Sequence, residues 1–393
     1  MRIFVTGVGG QLGHDVMNEL LRRGHEGVGS DIQEIYSGVD DSSNVTKAPY
    51  VSLDITDKEA VEKTITEIHP DAVIHCAAWT AVDLAEDEDK QEKVRAINAW
   101  GTQNIAEVCK KLDCKITYIS TDYVFNGQGT EPWKPDCKDY KPLNMYGQTK
   151  LEGELAVSEK LEKYFIVRIA WVFGLNGNNF IKTMLKVGKN HDTVRVVNDQ
   201  IGTPTYTYDL ARLLIDMSES EKYGYYHATN EGGYISWYDF TKEIYRQAGY
   251  TTEVLPITTA EYGLSKAARP FNSRLEKSKL VEAGFKPLPT WQDALSRYLQ
   301  RNKRIETKWE LSVMGQITVE ENVGGIEGLC VITPAVHGDA RGYFMETYNE
   351  NDMKEAGIGI KFVQDNQSMS TKGVLRGLLF SETVSTDKAG SCD

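Results

Sequence analysis

The chain has 393 residues, of which 40% are hydrophobic and 26% are charged, a composition typical of a folded protein with two or three domains. It carries 57 acidic and 44 basic residues, a formal net charge of −13, and no basic run that would suit a nucleic-acid backbone. No stretch approaches the roughly 18 apolar residues of a membrane span, so we expect neither nucleic acid nor a membrane as a partner.

The N-terminus and the cysteines indicate a cytoplasmic protein. Met1 is followed by the apolar run IFVTG, without a charged leader and cleavage site. The cysteines and histidines are scattered along the chain, and none of them has the spacing of a metal site. We therefore expect reduced thiols and no bound metal.

The first elements predict a strand, a glycine-rich loop, a helix and a second strand. Residues 2–6 form an apolar β-type run, and the segment GVGGQLG follows at 7–13. An amphipathic pattern over 14–24 indicates a helix that ends at a glycine. The second strand is predicted over 27–31.

The glycine-rich loop has the pattern T-G-x-x-G-x-x-G, formed by Thr6, Gly7, Gly10 and Gly13. Between a strand and a helix, such glycines permit a tight turn and a close approach of the backbone to a pyrophosphate, and the helix N-terminus presents N–H groups to the anion. The pattern therefore predicts a dinucleotide site, with an unliganded turn as the alternative.

Asp31 closes the second strand, where a carboxylate can bind the adenosine ribose hydroxyls of the cofactor. That position favours NADH, whereas NADPH would need a nearby cation for its extra phosphate, and both cofactors stay open. Gln11 and Leu12 are expected beneath the cofactor phosphates. Asp54 and Ile55, after the third strand, are expected beside the adenine.

Strands and helices continue to alternate, which predicts an α/β fold with a doubly wound parallel sheet of the Rossmann type. The predicted segments are a loop over 32–50, a strand over 51–56, a helix over 57–68, a strand over 71–78, a helical region over 90–112, a strand over 115–125, a loop over 126–142, a helix over 146–161 and a strand over 164–174.

After residue 174 the pattern loosens into shorter elements with glycine punctuation. We predict a dinucleotide-binding domain over 1–174 and a smaller α/β substrate-binding lobe over 175–305, with some elements of the two interleaved. A linker over 306–314, an incomplete β-rich segment over 315–380 and a disordered polar tail over 381–393 are predicted to follow.

The segment YGQTK places Tyr146 and Lys150 on one face of a helix, four residues apart. With ordinary pKa values of about 10 and about 10.4, the two side chains are inert in neutral water. In a cleft, a cationic Lys150 and an oxidised nicotinamide would favour the phenolate. Tyr146 would then pass a proton to a carbonyl oxygen while hydride reaches its carbon.

Thr121 ends the strand in YISTDYVF, at the C-terminal edge of the sheet where ligands bind. Its hydroxyl is expected to hold the carbonyl oxygen. Taken singly, Thr121, Tyr146 and Lys150 are more often strand, packing and surface residues. Together with the glycine-rich loop, they predict one catalytic centre.

With these residues, the chain resembles the extended short-chain dehydrogenase/reductases and, among them, the dTDP-4-dehydrorhamnose reductase family. The resemblance extends to roughly residue 300 through VTGVGGQLG, AAWTAVDLAE, YISTDYVFNGQG, PLNMYGQTKLEGE, RIAWVFG, GNNFIKTML, VVNDQIGTPT and ARPFNSRL. It implies reduction of dTDP-4-dehydro-L-rhamnose to dTDP-L-rhamnose by NADPH or NADH. That reaction is the last step of dTDP-rhamnose biosynthesis, which supplies cell-wall polysaccharide.

The same resemblance implies roles for individual residues. Tyr146 would be the proton donor, and Lys150 would bind the nicotinamide ribose and tune the tyrosine. The implied sugar contacts are Thr121, Asp122, Tyr123 and Trp171, and the implied contacts with the nucleotide diphosphate are Asn178, Asn179, Lys182, Gln200 and Arg269, for which surface or loop positions are the alternative. The pocket wall would comprise Ala77, Ala78, Thr80, Val82 and Asp83. The segment SRYLQRNKR has no match to the metal-binding glutamates of some members.

Residues 315–380 resemble a second family, dTDP-4-dehydrorhamnose 3,5-epimerase, which acts one step earlier in the same pathway. The similar segments are HGDARGYFMETYNE, FVQDNQSMS and VLRGLLF. Gln367 and Leu379 stand where that family has histidines, and leucine cannot accept a proton. The jelly roll of the family needs about a hundred further residues, so we expect a truncated, catalytically inactive segment.

Two alternatives to a reductase stay open. A cofactor-binding regulatory subunit would need none of Thr121, Tyr146 and Lys150, all of which are present. Another nucleotide-sugar dehydratase or epimerase would form product without net consumption of cofactor. The expected partner is a dTDP-linked 4-keto sugar, and a homodimer is compatible with the sequence.

Overall fold

The structure is a computed structural model that describes residues 1–39, 43–313, 317–321, 330–334, 336–339 and 342–345. The chain divides into two compact units, Met1–Lys303 and Arg304–Asp393. The predicted boundaries at 174, 305 and 314 stay predictions.

The first half of the larger unit alternates strands and helices. The strands are β1 (Arg2–Thr6), β2 (Glu26–Asp31), β3 (Tyr50–Ser52), β4 (Ala72–His75), β5 (Lys115–Thr121) and β6 (Tyr164–Ile169), and the helices are α1 (Gln11–Arg22), α2 (Lys58–Ile68), α3 (Glu88–Arg95), α4 (Thr102–Leu112) and α5 (Met145–Ser158). Short 3-10 turns occupy Asn44–Lys47, Leu84–Glu86 and Asp122–Val124. A π-helical turn, Ala96–Gly101, joins α3 to α4.

The elements that follow are shorter. The strands are β7 (Val172–Phe173), β8 (Thr193–Val197), β9 (Ile201–Gly202), β10 (Thr205–Tyr206), β11 (Gly224–His227), β12 (Ile235–Ser236) and β13 (Glu253–Ile257), and the helices are α6 (Phe180–Asn190), α7 (Thr207–Ser218), α8 (Trp237–Ala248), α9 (Thr259–Tyr262), α10 (Ser278–Glu282) and α11 (Trp291–Val313). In the smaller unit, β14 (Ile317–Glu321) pairs antiparallel with β15 (Cys330–Pro334), and β16 (Val336–Asp339) with β17 (Gly342–Met345).

A seven-stranded sheet in the order β11-β6-β5-β4-β1-β2-β3 forms the centre of the larger unit. Every pair in it is parallel. The predicted doubly wound parallel sheet is therefore confirmed. The chain changes direction across the sheet between β1 and β4, and such a switch point leaves a crevice beyond the carboxyl ends of the strands. Strand β11 belongs to this sheet although it follows residue 175.

The core lies on both faces of the sheet because successive side chains of a strand point to opposite sides. Ile3 and Val5 pack into the layer that contains α1 and α7, and Phe4 packs into the layer that contains α2 and α4. The apolar strands are therefore buried on both faces, which explains their unbroken hydrophobic runs.

Two predicted strands end earlier than expected. The strand predicted over 115–125 stops at Thr121, because the Thr121 hydroxyl accepts a hydrogen bond from Tyr123 N at 3.2 Å and starts a 3-10 turn. The strand predicted over 164–174 is broken at Trp171, whose φ of 51° is left-handed and cannot continue an extended strand. Conversely, α1 begins at Gln11, ahead of the predicted start.

Replacement of Phe165 tests the contribution of the sheet core. Its side chain is completely buried on β6 and contacts the rings of Tyr223 and Tyr226. We expect Phe165→Ala to lower the free energy of unfolding by about 3–5 kcal/mol in urea titrations, because the cavity is lined by neighbours that cannot collapse fully. Leu264→Ala is the control: that side chain is 81% exposed, so a change above about 0.5 kcal/mol there would contradict this account.

Candidate active site

A cavity of about 710 Å³ lies at the carboxyl edge of the sheet, where β1, β2, β4, β5 and β6 end. All of the residues predicted to bind the cofactor line it: Gly7, Gly10, Gln11, Leu12, Gly13, Asp31, Asp54, Ile55, Ala77, Ala78, Thr80 and Lys150. The predicted catalytic residues Thr121 and Tyr146 line it too. The fold thus gathers both groups around one space.

The glycine-rich loop fits a dinucleotide because its backbone leaves no room for side chains. Gly7 has a φ of 72°, and a Cβ there would lie 2.6 Å from Ala77 N. A Cβ on Gly13 would lie 2.2 Å from the Gly7 oxygen. Gly10 is the N-cap of α1, so no cap side chain covers the first N–H groups of this helix. These groups are available to an anion such as a pyrophosphate.

Asp31 is held in place at the end of β2. Its carboxylate accepts hydrogen bonds from Gly9 N at 2.9 Å and from Ile32 N at 2.8 Å. Asp54 is fixed in a similar way, by the amide and the hydroxyl of Thr56. Both acidic side chains line the cavity at positions where carboxylates can bind ribose hydroxyls.

The catalytic helix α5 starts next to the end of β5. Asn144 caps it by accepting a hydrogen bond from Gly147 N at 2.8 Å. A Cβ on Gly147 would lie 2.3 Å from the Tyr123 oxygen, so this glycine lets the helix contact the turn after β5. The Tyr146 phenol thereby forms a hydrogen bond with Thr121.

Burial dominates the protonation of Tyr146 and Lys150. It raises the pKa of the Tyr146 phenol above its usual range, an effect that the charge of Asp122 increases and the Thr121 hydrogen bond opposes. Burial also lowers the pKa of Lys150 to about 7, against the opposing effect of Glu154. Burial and Asp122 outweigh any effect of Lys150 on the Tyr146 phenol in the protein chain by itself, and the tuning of Tyr146 by Lys150 with a bound nicotinamide stays a prediction. Tyr146 keeps its proton at neutral pH, as a proton donor must.

Asp122 connects the catalytic centre to the C-terminal part of the unit. Thr121 Oγ1 donates to Asp122 Oδ1 at 3.1 Å, and Ser273 Oγ donates to Asp122 Oδ2. All three side chains are buried, and burial raises the pKa of Asp122 to about 6. Sequence reasoning assigned no role to Ser273, although it lies within the segment ARPFNSRL that carried the resemblance.

The π-helical turn supplies a second residue that sequence reasoning missed. Asn98 is buried, and its amide accepts from Trp79 N at 2.8 Å and donates to Thr149 Oγ1 at 3.1 Å. It therefore joins the cavity wall around Ala78 and Thr80 to helix α5. Hydrophobic periodicity carries no signal for a π-turn, which is a frequent feature of functional sites.

The predicted substrate residues divide into two groups. Thr121, Asp122, Tyr123, Trp171 and Asn178 line the cavity. The Trp171 ring stacks on Trp237, with the ring centres 3.7 Å apart. The wall residue Val82 also lines the cavity.

The other four predicted substrate residues do not line the cavity and bond to the chain itself. Asn179 caps α6 and donates to the Gly174 oxygen at 2.8 Å. Lys182 Nζ donates to backbone oxygens, and Gln200 Nε2 donates to Thr259 Oγ1 at 3.0 Å. Arg269 forms an ion pair with Asp83 at 2.6 Å and contacts the Tyr123 hydroxyl at 3.1 Å.

Arg269 is linked to the cavity through the hydroxyl of Tyr123, which lines it. Asn179 caps helix α6. The contacts with a nucleotide diphosphate that we expect for Asn179, Lys182, Gln200 and Arg269 stay predictions.

The described part of the chain offers neither a metal site nor a membrane-spanning helix. Within it, no group of three or more histidine, cysteine, aspartate or glutamate side chains could hold a metal ion. No helix there is both long and apolar enough to span a bilayer.

Comparison with known families gives a match for each unit. Residues 1–304 match the RmlD substrate binding domain, and residues 324–392 match dTDP-4-dehydrorhamnose 3,5-epimerase. Both resemblances seen in the sequence are therefore confirmed. The second match includes most of the predicted tail over 381–393. Gln367, Leu379 and that tail lie outside the described residues, so the predictions made for them stay predictions.

Individual proteins show the same similarity. A dTDP-4-dehydrorhamnose reductase from Aggregatibacter actinomycetemcomitans is 38% identical over 308 residues, which cover 75% of this chain and 97% of that protein. The crystal structure of a dTDP-4-dehydrorhamnose reductase from Clostridium acetobutylicum has a TM-score of 0.69 at 39% identity, covering 76% of this chain and 99% of that one. A dTDP-4-dehydrorhamnose reductase from Bacillus anthracis, in complex with NADP, has a TM-score of 0.68 at 37% identity, covering 76% and 98%.

The raised pKa of Asp122 predicts a stability cost at neutral pH. Folding raises this pKa from 3.8 to about 6, so the folded state releases the proton later than the unfolded state, and stability is lost as pH rises through this window. We expect Asp122→Asn to raise the free energy of unfolding at pH 7.5 by about 1–3 kcal/mol and to give no gain at pH 4, as measured by urea unfolding.

Asp139→Asn is the matched control for this measurement, because the Asp139 side chain is 62% exposed. An equal gain in both variants, or a gain for Asp122→Asn that persists at pH 4, would show that the buried charge is not the cause.

Proposed function

Because this chain belongs over residues 1–304 to the RmlD substrate binding domain family, we propose that it reduces dTDP-4-dehydro-L-rhamnose to dTDP-L-rhamnose with NADH or NADPH. The observation that carries the proposal is the meeting of Thr121, Tyr146 and Lys150 at the cavity that the glycine-rich loop lines. The similarity to reductases of this name over three quarters of the chain supports the substrate class.

In the reaction, the C4 ketone of the sugar lies between Thr121 and Tyr146. A reduced nicotinamide dinucleotide held by the glycine-rich loop, Asp31 and Lys150 would supply the hydride for the carbonyl carbon. The Tyr146 phenol donates to the carbonyl oxygen, where negative charge develops, and the Thr121 hydroxyl becomes the second donor when its proton turns to this oxygen from Asp122. The Tyr146 proton is transferred to that oxygen and completes the alcohol.

Lys150 balances the charge that the proton transfer leaves on Tyr146. Its ammonium lies on the same helix face, one turn away, and 97% of its surface is buried. A phenolate formed in this dry environment is stabilised by a nearby cation far more than in water. Because the pKa of Lys150 is about 7, the charge of this side chain changes within the physiological pH range.

The two alternatives receive less support. A binding subunit has no need for a phenol that retains its proton through burial beside a threonine hydroxyl. A dehydratase or epimerase of the same fold shares these residues, so the consumption of cofactor is the distinguishing measurement. The cytoplasmic location and the homodimer stay predictions.

We further propose that the enzyme prefers NADH. No lysine or arginine occurs between Arg23 and Lys47, the segment that contains β2 and the loop after it. Asp31 and Glu34 lie in this segment, and Asp31 lines the cavity. The 2′-phosphate of NADPH would meet a carboxylate there, and like charges in contact cost several kcal/mol.

Removal of the Asp31 charge tests this cofactor preference. We expect the wild-type protein to use NADH at least about tenfold better than NADPH in kcat/KM, and Asp31→Asn to reduce that ratio toward one, because an amide no longer repels the phosphate. Glu34→Gln is the control, since Glu34 is exposed and does not line the cavity. A wild-type preference for NADPH would refute the proposed selection.

Replacement of the phenol tests the acid. Tyr146→Phe should lower kcat by about 100–10,000-fold, as expected for loss of a general acid, and leave the dissociation constant of the cofactor nearly unchanged. The assay is the decay of NADH or NADPH absorbance with dTDP-4-dehydro-L-rhamnose.

Tyr226→Phe is the matched control, because its hydroxyl bonds to the Lys222 oxygen away from the cavity. Full turnover of the Tyr146→Phe variant would show that Tyr146 is not the proton donor. Absence of turnover in the wild-type protein, with intact cofactor binding, would favour the binding subunit instead.

A further inference from the structure

Lys150 occupies an unusual position for a charged side chain. It is 3% exposed, and its ammonium lies 4.2 Å from the centre of the Tyr118 ring. An isolated ammonium in such a place loses its hydration and tends to release its proton. A cation–π contact offsets part of this cost, on the order of 1–2 kcal/mol.

The titratable groups around Lys150 come from three elements. On β4, burial lowers the pKa of His75 to about 3 and raises that of Cys76 to about 12. On β5 and α5, burial raises the pKa values of Tyr118 and Tyr146 above their usual range. All four groups are therefore neutral at pH 7 and supply no charge that opposes the ammonium.

Glu154 is the exception among these neighbours. It lies one turn after Lys150 on the buried face of α5, and its side chain is completely inaccessible to solvent. Gly153 lies beside Glu154, and a Cβ on it would be 2.3 Å from the Tyr118 hydroxyl. Helix α5 is therefore in close contact with the Tyr118 ring, against which the Lys150 ammonium lies. The negative charge of Glu154 favours the protonated form of Lys150.

Arg168 on β6 holds the Glu154 carboxylate in place. Its Nε and Nη2 atoms donate to the two carboxylate oxygens, each at 2.7 Å. The guanidinium also donates to the Pro135 oxygen at 3.0 Å and to the Tyr140 hydroxyl at 3.1 Å. Burial, with a smaller contribution from the Arg168 charge, lowers the pKa of His227. Glu154 is the member of this pair that lies on the same helix as Lys150, one turn away and likewise buried.

A fully buried ion pair is poor evidence for a stabilising role, since desolvation often exceeds the attraction between the charges. We propose that Glu154 is a positioning residue for the reaction: fixed by Arg168, it keeps the Lys150 ammonium charged inside the cleft. The proposal rests on the proposed function only in so far as Lys150 acts at the catalytic centre. Asp122, the other buried carboxylate of the site, acts on Tyr146 instead.

The direction of the effect follows from the charges. Burial lowers the pKa of Lys150, and the Glu154 carboxylate opposes this effect. Without the carboxylate, only weaker interactions such as the contact with the Tyr118 ring oppose it, so the pKa falls and the ammonium loses its proton at a lower pH. The fraction of enzyme with a charged Lys150 at pH 7 then falls, and the alkaline limb of the kcat/KM profile moves to lower pH.

The direct test is an NMR titration of the protein labelled with ¹³C at lysine Cε, with the Lys150 signal assigned by its loss in Lys150→Arg. We expect the titration midpoint in Glu154→Gln to lie about one pH unit below that of the wild-type protein, and Glu154→Asp to restore most of the shift. The alkaline limb of kcat/KM should move by the same amount.

Two further variants separate this role from a structural one. Glu154→Gln/Arg168→Met removes both buried charges, leaves no unpaired ion, and should show the lowered midpoint even if the single variant fails to fold. Asp209→Asn breaks the Asp209–Arg297 pair, in which Asp209 is 5% exposed, and should lower stability without moving the midpoint.

A Lys150 midpoint in Glu154→Gln or in the double variant equal to that of the wild-type protein would overturn the proposal, whatever the loss of stability. The NMR readout needs no turnover. An inactive wild-type protein with the expected midpoints would therefore refute the reductase function and leave the role of Glu154 intact.

Discussion

The close contact between helix α5 and the central sheet is the constraint on which the site depends. Gly147 and Gly153 make it possible, because a side chain at either position would overlap the Tyr123 backbone or the Tyr118 hydroxyl. The resulting contact buries Lys150 and Glu154 and leaves Tyr146 half-buried at the cavity. A looser helix would leave a phenol and an ammonium in water, where neither has useful chemistry at neutral pH.

The same burial separates the tasks of the ionisable groups. Carboxylic acid and phenol hold their protons more strongly in the cleft, and the amine holds its proton less strongly. The protein therefore needs an internal counter-charge where it requires an ion and needs none where it requires a neutral acid. Glu154 and Arg168 meet the first need, and Thr121 orients the neutral phenol.

Local patterns in the sequence were sufficient for the doubly wound parallel sheet and for the residues around the cofactor cavity. A strand–glycine–helix pattern is a local signal, and Gly7, Gly13 and Asp31 lie where it places them. Features that depend on distant partners were not accessible in this way. Ser273 meets Asp122 across a separation of 151 residues, and the left-handed backbone at Trp171 follows from tertiary packing rather than from propensity. The cap that Asn179 forms on α6 was not foreseen, because an asparagine amide suits a cap and a ligand contact equally.

The position of β11 in the sheet affects folding during translation. Strand β6 exposes one edge until Gly224–His227 pair with it, and about 60 residues must be translated in the interval. At elongation rates of about 5–20 residues per second that wait is on the order of 3–12 s, during which the free edge of β6 is open to other nascent chains. The order of translation thus gives this fold a window for chaperone engagement that a chain with consecutive sheet strands would not have.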